Sequence, residues 1–311
     1  MVAADPKKEI DISILVDPNK PRTILVDAKW LYQASYHNAD FKHITKAFLL
    51  TKRLYEGHFS GYLACAVEYH DFAHIMNVFA ATSRLIDGCE LSGLELGPIL
   101  AGEVLIAAML HDTGYIRTEG DTSGTGAQYT EIHVDRSAAF ALREAEAFGL
   151  DPESAARISR IILGTDLARS WETLVFDSEK ERIAAEILAS AELLGQMADR
   201  RYLEKLLFLY YEYREAGIGG YDCAFDILKK TAEFYTSIKN RLDVTLGRVS
   251  GRTKEHFKAR YNVHRDIYRD AIAHQMAYLE TIIADDRTNF RTKLKRMDLV
   301  TIESWRESQG V

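Results

Sequence analysis

Cysteine is scarce: Cys65, Cys89 and Cys223 are the only three in 311 residues. Three widely separated thiols, an odd number, leave neither a disulfide framework nor a Cys-based zinc site, and a reducing cytoplasm is the expected setting. A dense Lys/Arg block is also missing. The 39 basic residues are outnumbered by 46 acidic ones, for a net charge of −7, so no nucleic-acid groove is expected. No segment approaches the length needed to span a bilayer, and the opening MVAADPKKEIDIS has no apolar core behind its basic residues. The chain is therefore expected to be neither secreted nor membrane-embedded. The stretch EGDTSGTGAQ at 119–128 matches neither GxGxxG nor a Walker pattern. Its small polar residues read as a mobile loop that could cover a pocket opening.

What is present is 47% apolar content in a chain long enough to bury a substantial core. From Asp40 onward apolar residues such as Phe41, Ile44 and Phe48 recur at three- and four-residue steps, which predicts helices. Residues 1–37 differ. Two β-favouring runs, Ile12 to Val16 and Thr23 to Val26, flank a Pro-Asn-Lys-Pro turn and predict a small hairpin that packs on the helical body or on a partner subunit. No linker divides the remainder, so 38–311 is expected to be one helical domain. Long patterned segments at 222–246 and 253–283 predict C-terminal helices whose aromatic stripes serve core or dimer contacts, which leaves a homo-oligomer open.

The chemistry concentrates in Tyr69 to Val78, YHDFAHIMNV. His70 and His74 are four residues apart, which on a helix places them on one face. Downstream, IAAMLHDTG ends an apolar helix in adjacent His111 and Asp112. A single histidine in an apolar run is ordinarily a buried polar group satisfied by a carbonyl. A same-face pair together with a terminal His-Asp dyad points instead to a divalent metal held between separate helices. The helix terminus matters, because there the backbone can turn and aim two consecutive side chains at one ion.

Tyr69, His70, His74 and Val78, followed by His111 and Asp112, resemble the YHNxxHxxxV and HD signatures of class I cyclic-nucleotide phosphodiesterases, a branch of the HD-domain metal-dependent phosphohydrolases. The resemblance continues through Glu131 and His133, the ILGTD run ending at Asp166, and Ala191 to Leu206, so it is strongest over 53–217. It implies an all-α HD-type helical bundle with extra C-terminal helices. It also implies a site for one or two divalent ions, with Mn, Mg, Zn and Fe not distinguished. His74, His111, Asp112 and Glu192 would be the ligands and His70 the acid that protonates the leaving oxygen. Glu131, His133, Thr165 and Asp166 would lie in a second-metal or outer position, Asp112 bridging. Asp199, seven residues after Glu192, is the alternative carboxylate, since helical periodicity puts both on one face.

Departures from the family pattern are Asp71 in place of asparagine, Tyr115 in place of the lysine of HDxGK, and Glu192 in place of aspartate. Gln275 and Tyr278 echo only loosely the glutamine and aromatic that hold a purine. The implied function is metal-dependent hydrolysis of a small phosphorylated or nucleotide substrate, a cyclic nucleotide among the candidates. The alternatives are an HD-fold diiron oxygenase, which needs more histidines after His133, and a metal- or nucleotide-binding sensor whose catalysis Glu192 has weakened.

Overall fold

The computed structural model describes residues 11–37, 39–284 and 287–299. Among them are thirteen α-helices and no strand; the nearest approach to a sheet is one isolated bridge between Tyr62 and Thr118. In chain order they are α1 (Ile12–Leu15), α2 (Pro21–Ser35), α3 (Lys42–Tyr55), α4 (Phe72–Leu91), α5 (Pro98–Leu110), α6 (His133–Arg143) and α7 (Ala145–Phe148). Then come α8 (Pro152–Leu163), α9 (Glu179–Met197), α10 (Tyr202–Glu215), α11 (Ala224–Asn240), α12 (Thr253–Tyr261) and α13 (Ile267–Ile283). The all-α expectation holds. No described helix is long and apolar enough to cross a membrane.

The layout follows from which helices are apolar on every side. α4 is buried continuously from His74 to Cys89, and α5 from Ala101 to Leu110. A helix without a polar face must be covered all round. α4 is accordingly enclosed by α2, α5, α9 and α12, and α5 by α3, α8 and α9. The outer helices are amphipathic. In α8, Ala155, Ile158, Ile161 and Ile162 turn inward, while Asp151 caps the first turn by accepting from Glu153 N and Ser154 N.

Three local expectations are corrected. The N-terminal hairpin is absent: Ile12–Leu15 and Pro21–Ser35 are helical. Pro21 suits a helical first turn, and Ile24, Ala28 and Leu31 recur at helical spacing to bury against α4, which overrides the β-preference of the isolated runs. The predicted helix over 253–283 is broken after Tyr261, where Asn262 takes a left-handed conformation (φ 55°) and ends α12. Finally, the 119–128 loop is not a free cover. Glu215 of α10 accepts from Thr125 N and Thr125 Oγ1, both at 2.7 Å, and so anchors the loop to the helical body.

Candidate metal centre

α4 starts later than its histidine spacing predicts. Asp71 is the N-cap, its carboxylate accepting from His74 N at 2.8 Å, so His74 stands in the first turn and His70 precedes the helix. The two histidines therefore do not share a helical face. They approach because the chain bends ahead of the cap, bringing their ring centroids to 5.6 Å. α5 ends at Leu110, so His111 and Asp112 occupy its terminus, where the chain turns into a short 3-10 segment, Thr113–Tyr115.

The donors converge. His74 Nε2 and His111 Nε2 are 3.3 Å apart, and Asp112 Oδ2 lies 3.1 Å from the first and 3.2 Å from the second. All three residues are at most 3% exposed. His111 Nδ1 bonds to the Ala108 carbonyl at 2.8 Å; a carbonyl only accepts, so Nδ1 carries a proton and the Nε2 edge faces the cluster. Asp112 Oδ2 is buried yet makes no well-formed hydrogen bond. These separations match an ion's needs: with bonds of about 2.1 Å, neighbouring donors at tetrahedral to octahedral angles stand about 3.0 to 3.4 Å apart. The cluster can hold a metal ion. Its electrostatics show the crowding. Burial pushes His74 down to about 4, whereas in His111 the adjacent Asp112 carboxylate overcomes burial and carries it up to about 9.

Beyond Asp112 Oδ1 stands His133, with Nε2 3.6 Å away and Nδ1 bonded to the Thr130 carbonyl at 2.6 Å. Gly114 permits this approach, because a Cβ there would sit 1.9 Å from the His133 carbonyl oxygen. Asp112 thus faces one histidine pair with one oxygen and a third histidine with the other. Tyr115, which directly follows Gly114, is buried, its ring stacking on His70 (centroids 4.3 Å, planes 13°) and on His133 (4.5 Å, 25°).

The remaining expected residues are distributed unequally. Glu192, from α9, lines a cavity together with His70 and His133, and burial pushes its carboxyl up to about 7, but it is outside the cluster of donors lying within 4.8 Å of one another. Glu131 is exposed at the cavity wall. Thr165 Oγ1 donates to the Ile162 carbonyl, and the Asp166 carboxylate accepts from Ala168 N and Arg169 Nε, so both also serve the end of α8. Asp199 is elsewhere. α9 ends at Met197, so the helical face expected to carry both carboxylates does not extend to Asp199, which accepts from Asn77 Nδ2 at 3.0 Å and borders a different groove. Gln275 and Tyr278 do not line the cavity of His70 and His133; Gln275 donates to the Asp199 carbonyl and Tyr278 to the Lys293 carbonyl.

One residue at the site has no counterpart in the sequence reading. Glu212 of α10, 3% exposed on its side chain, accepts from Glu68 N and Tyr69 N with Oε1 and holds His70 Nδ1 at 2.6 Å with Oε2. Burial opposes a charged His70, but this carboxylate outweighs it and lifts the ring above its ordinary pKa. The available signal was a lone glutamate in the aromatic run LYYEY, with nothing in its spacing to connect it to His70. The cavity lined by His70, Tyr115, His133 and Glu192 measures about 710 Å³, with Tyr69, Tyr202, Tyr213, Leu206 and Phe234 also among its walls.

Residues 118–269 are similar to a family described as Npun_R2479-like. That match, somewhat less than half of the chain, spans His133, Glu192 and Glu212 and leaves His70, His74, His111 and Asp112 outside it. Neither a curated protein nor a solved structure matches the chain.

Proposed function

We propose that this protein is a metal-dependent phosphohydrolase of the HD type, acting on a small phosphate ester. The observation that carries the reading is the convergence of His74 Nε2, His111 Nε2 and Asp112 Oδ2 within 3.1 to 3.3 Å of one another, behind a cavity whose walls include the neighbouring His70 and His133. His74, His111 and Asp112 would hold a divalent ion, with His133 placed to share Asp112 if a second ion binds. Such an ion supplies Lewis acidity toward phosphoryl oxygens and acidifies the water it binds.

The chain's own residues complete the chemistry. Glu212 takes the Nδ1 side of His70, which leaves Nε2 as the atom that can hand a proton to the departing ester oxygen. Tyr115 fixes the plane of that ring by stacking on it. The aromatic and aliphatic walls keep bulk water from the body of the substrate and strengthen the electrostatic interactions within. Glu192 supplies a carboxylate on the wall nearest α9 without joining the three-donor cluster.

The direct test is hydrolysis of bis(p-nitrophenyl) phosphate and a panel of cyclic nucleotides by metal-stripped protein resupplied separately with Mn, Mg, Zn or Fe. Turnover restored by at least one ion is the expected result. Metal binding without turnover of any ester would replace the hydrolase by a sensor, and failure to bind metal would remove the basis for either.

Glu212→Gln separates positioning from ligation. The amide keeps an acceptor for Glu68 N and Tyr69 N, but it removes the carboxylate facing His70 Nδ1. Hydrolysis is expected to fall by about 100-fold with metal content unchanged. Histidine ring-nitrogen NMR should show the Nδ1-protonated form of His70 depleted; an unaltered His70 spectrum would contradict the positioning role.

A further inference from the structure

A second concavity, about 590 Å³, takes Gly195, Ala198 and Asp199 from the end of α9 whose Glu192 and Gln196 line the cavity of His70 and His133. Four cationic side chains border it, Arg200, Arg201, Lys295 and Arg296, against two carboxylates, Asp17 and Asp199. Both carboxylates are already committed. Asp17 pairs with Lys20 at 3.1 Å, while Asp199 accepts from Asn77 Nδ2 at 3.0 Å and from Arg201 N at 2.9 Å.

The cations are not matched in the same way. Among the described residues, Arg200 and Lys295 form no ion pair. Among the described residues the Arg296 guanidinium donates to neutral acceptors, the Arg200 carbonyl and Gln275 Oε1. Arg201 reaches Asp199 only at 3.7 Å, and its buried Nη2 has no hydrogen-bond partner. Isolated unpaired cations are ordinary on a protein surface. Four cations around one hollow, three of them without a carboxylate partner among the described residues, repel one another and create a local positive field that an anion relieves. Three of them are guanidinium forks, whose planar donors suit phosphate oxygens. The volume suits a small molecule.

We propose that this groove is an anion site for a small phosphate-bearing ligand, distinct from the metal centre and independent of what that centre does. Its ligand would border α4, which carries His74, and the end of α9 at once. Asn77 follows His74 by one turn of α4, Asp199 follows the end of α9, and the Asn77–Asp199 hydrogen bond joins them.

The probe is inorganic pyrophosphate, titrated calorimetrically into the full chain dialysed free of metal, at about 0.15 M salt so that diffuse attraction is screened. Saturable binding is expected in the wild type and, at equal affinity, in His111→Ala. Arg201→Gln should weaken it by about tenfold or more. Because Arg201 is partly buried and its replacement could disturb folding, the exposed pair Arg200→Gln/Lys295→Gln serves as a second variant with the same expected direction. No saturable binding by the wild type, unchanged affinity in both groove variants, or loss of binding in His111→Ala would each overturn the assignment.

Discussion

His111→Ala is expected to weaken divalent-metal binding by roughly a hundredfold or more, and metal-dependent ester hydrolysis should disappear with it. Loss of a partner behind a metal ligand already costs ten- to a hundredfold in affinity, so a direct donor should cost at least that. His111 has no substitute. It is fully buried, its tautomer is set by the Ala108 carbonyl, and among the described residues only His74 and Asp112 join it in the tight cluster. His70→Ala is the informative companion, because it should retain the ion while losing turnover. Metal content by elemental analysis, with circular dichroism to confirm folding, reads both variants. Unchanged metal stoichiometry in His111→Ala would sink the three-donor centre.

The largest stability effect is expected away from that centre. Asp87, 1% exposed on α4, receives His256 Nδ1 at 2.7 Å and Arg260 Nη2 at 2.5 Å, both from α12. Breaking a buried ion pair by removing one partner leaves the other charge uncompensated, so Asp87→Asn should destabilise the fold by about 3 kcal/mol. Partial exposure of Arg260 allows some rehydration and favours the lower end of the usual range. A shifted urea midpoint at unchanged slope would report it.

The same network carries a pH signature. Burial pushes His256 down to about 4 despite the neighbouring Asp87 carboxylate, and the nearby Arg84 and Arg260 charges act in the same direction as burial. The unfolded chain, with an ordinary histidine pKa of 6.5, takes up the proton first. Stability associated with neutral His256 is therefore complete above pH 6.5 and drains as pH falls toward 4, by about 3 kcal/mol in all. His256→Gln retains a donor for Asp87 and does not titrate. The wild-type advantage over this variant should shrink across that window, and parallel stability curves would contradict the assignment of His256 as a buried neutral group.

The helical class was legible because helix formation is a local matter. Apolar residues at three- and four-residue steps mark Phe41, Ile44 and Phe48 without knowledge of their partners. The terminal placement of His111 and Asp112 was legible for the same reason, as the apolar run simply ends there. Local preference failed where burial against another helix decided the outcome, as in Pro21–Ser35, and where capping at Asp71 moved the helix start and put His70 ahead of α4.

Sequence by itself determined a helical body from Asp40 onward, carrying histidine and aspartate donors near two helix ends. Tertiary structure alone decided which donors meet. It brought His74 and His111 within 3.3 Å across 37 positions, delivered Glu212 to His70 across 142, and turned Asp199 toward Asn77 and the basic groove. The physical reason is that spacing along one helix specifies a direction around its own axis, whereas convergence of side chains from different helices depends on how those helices pack.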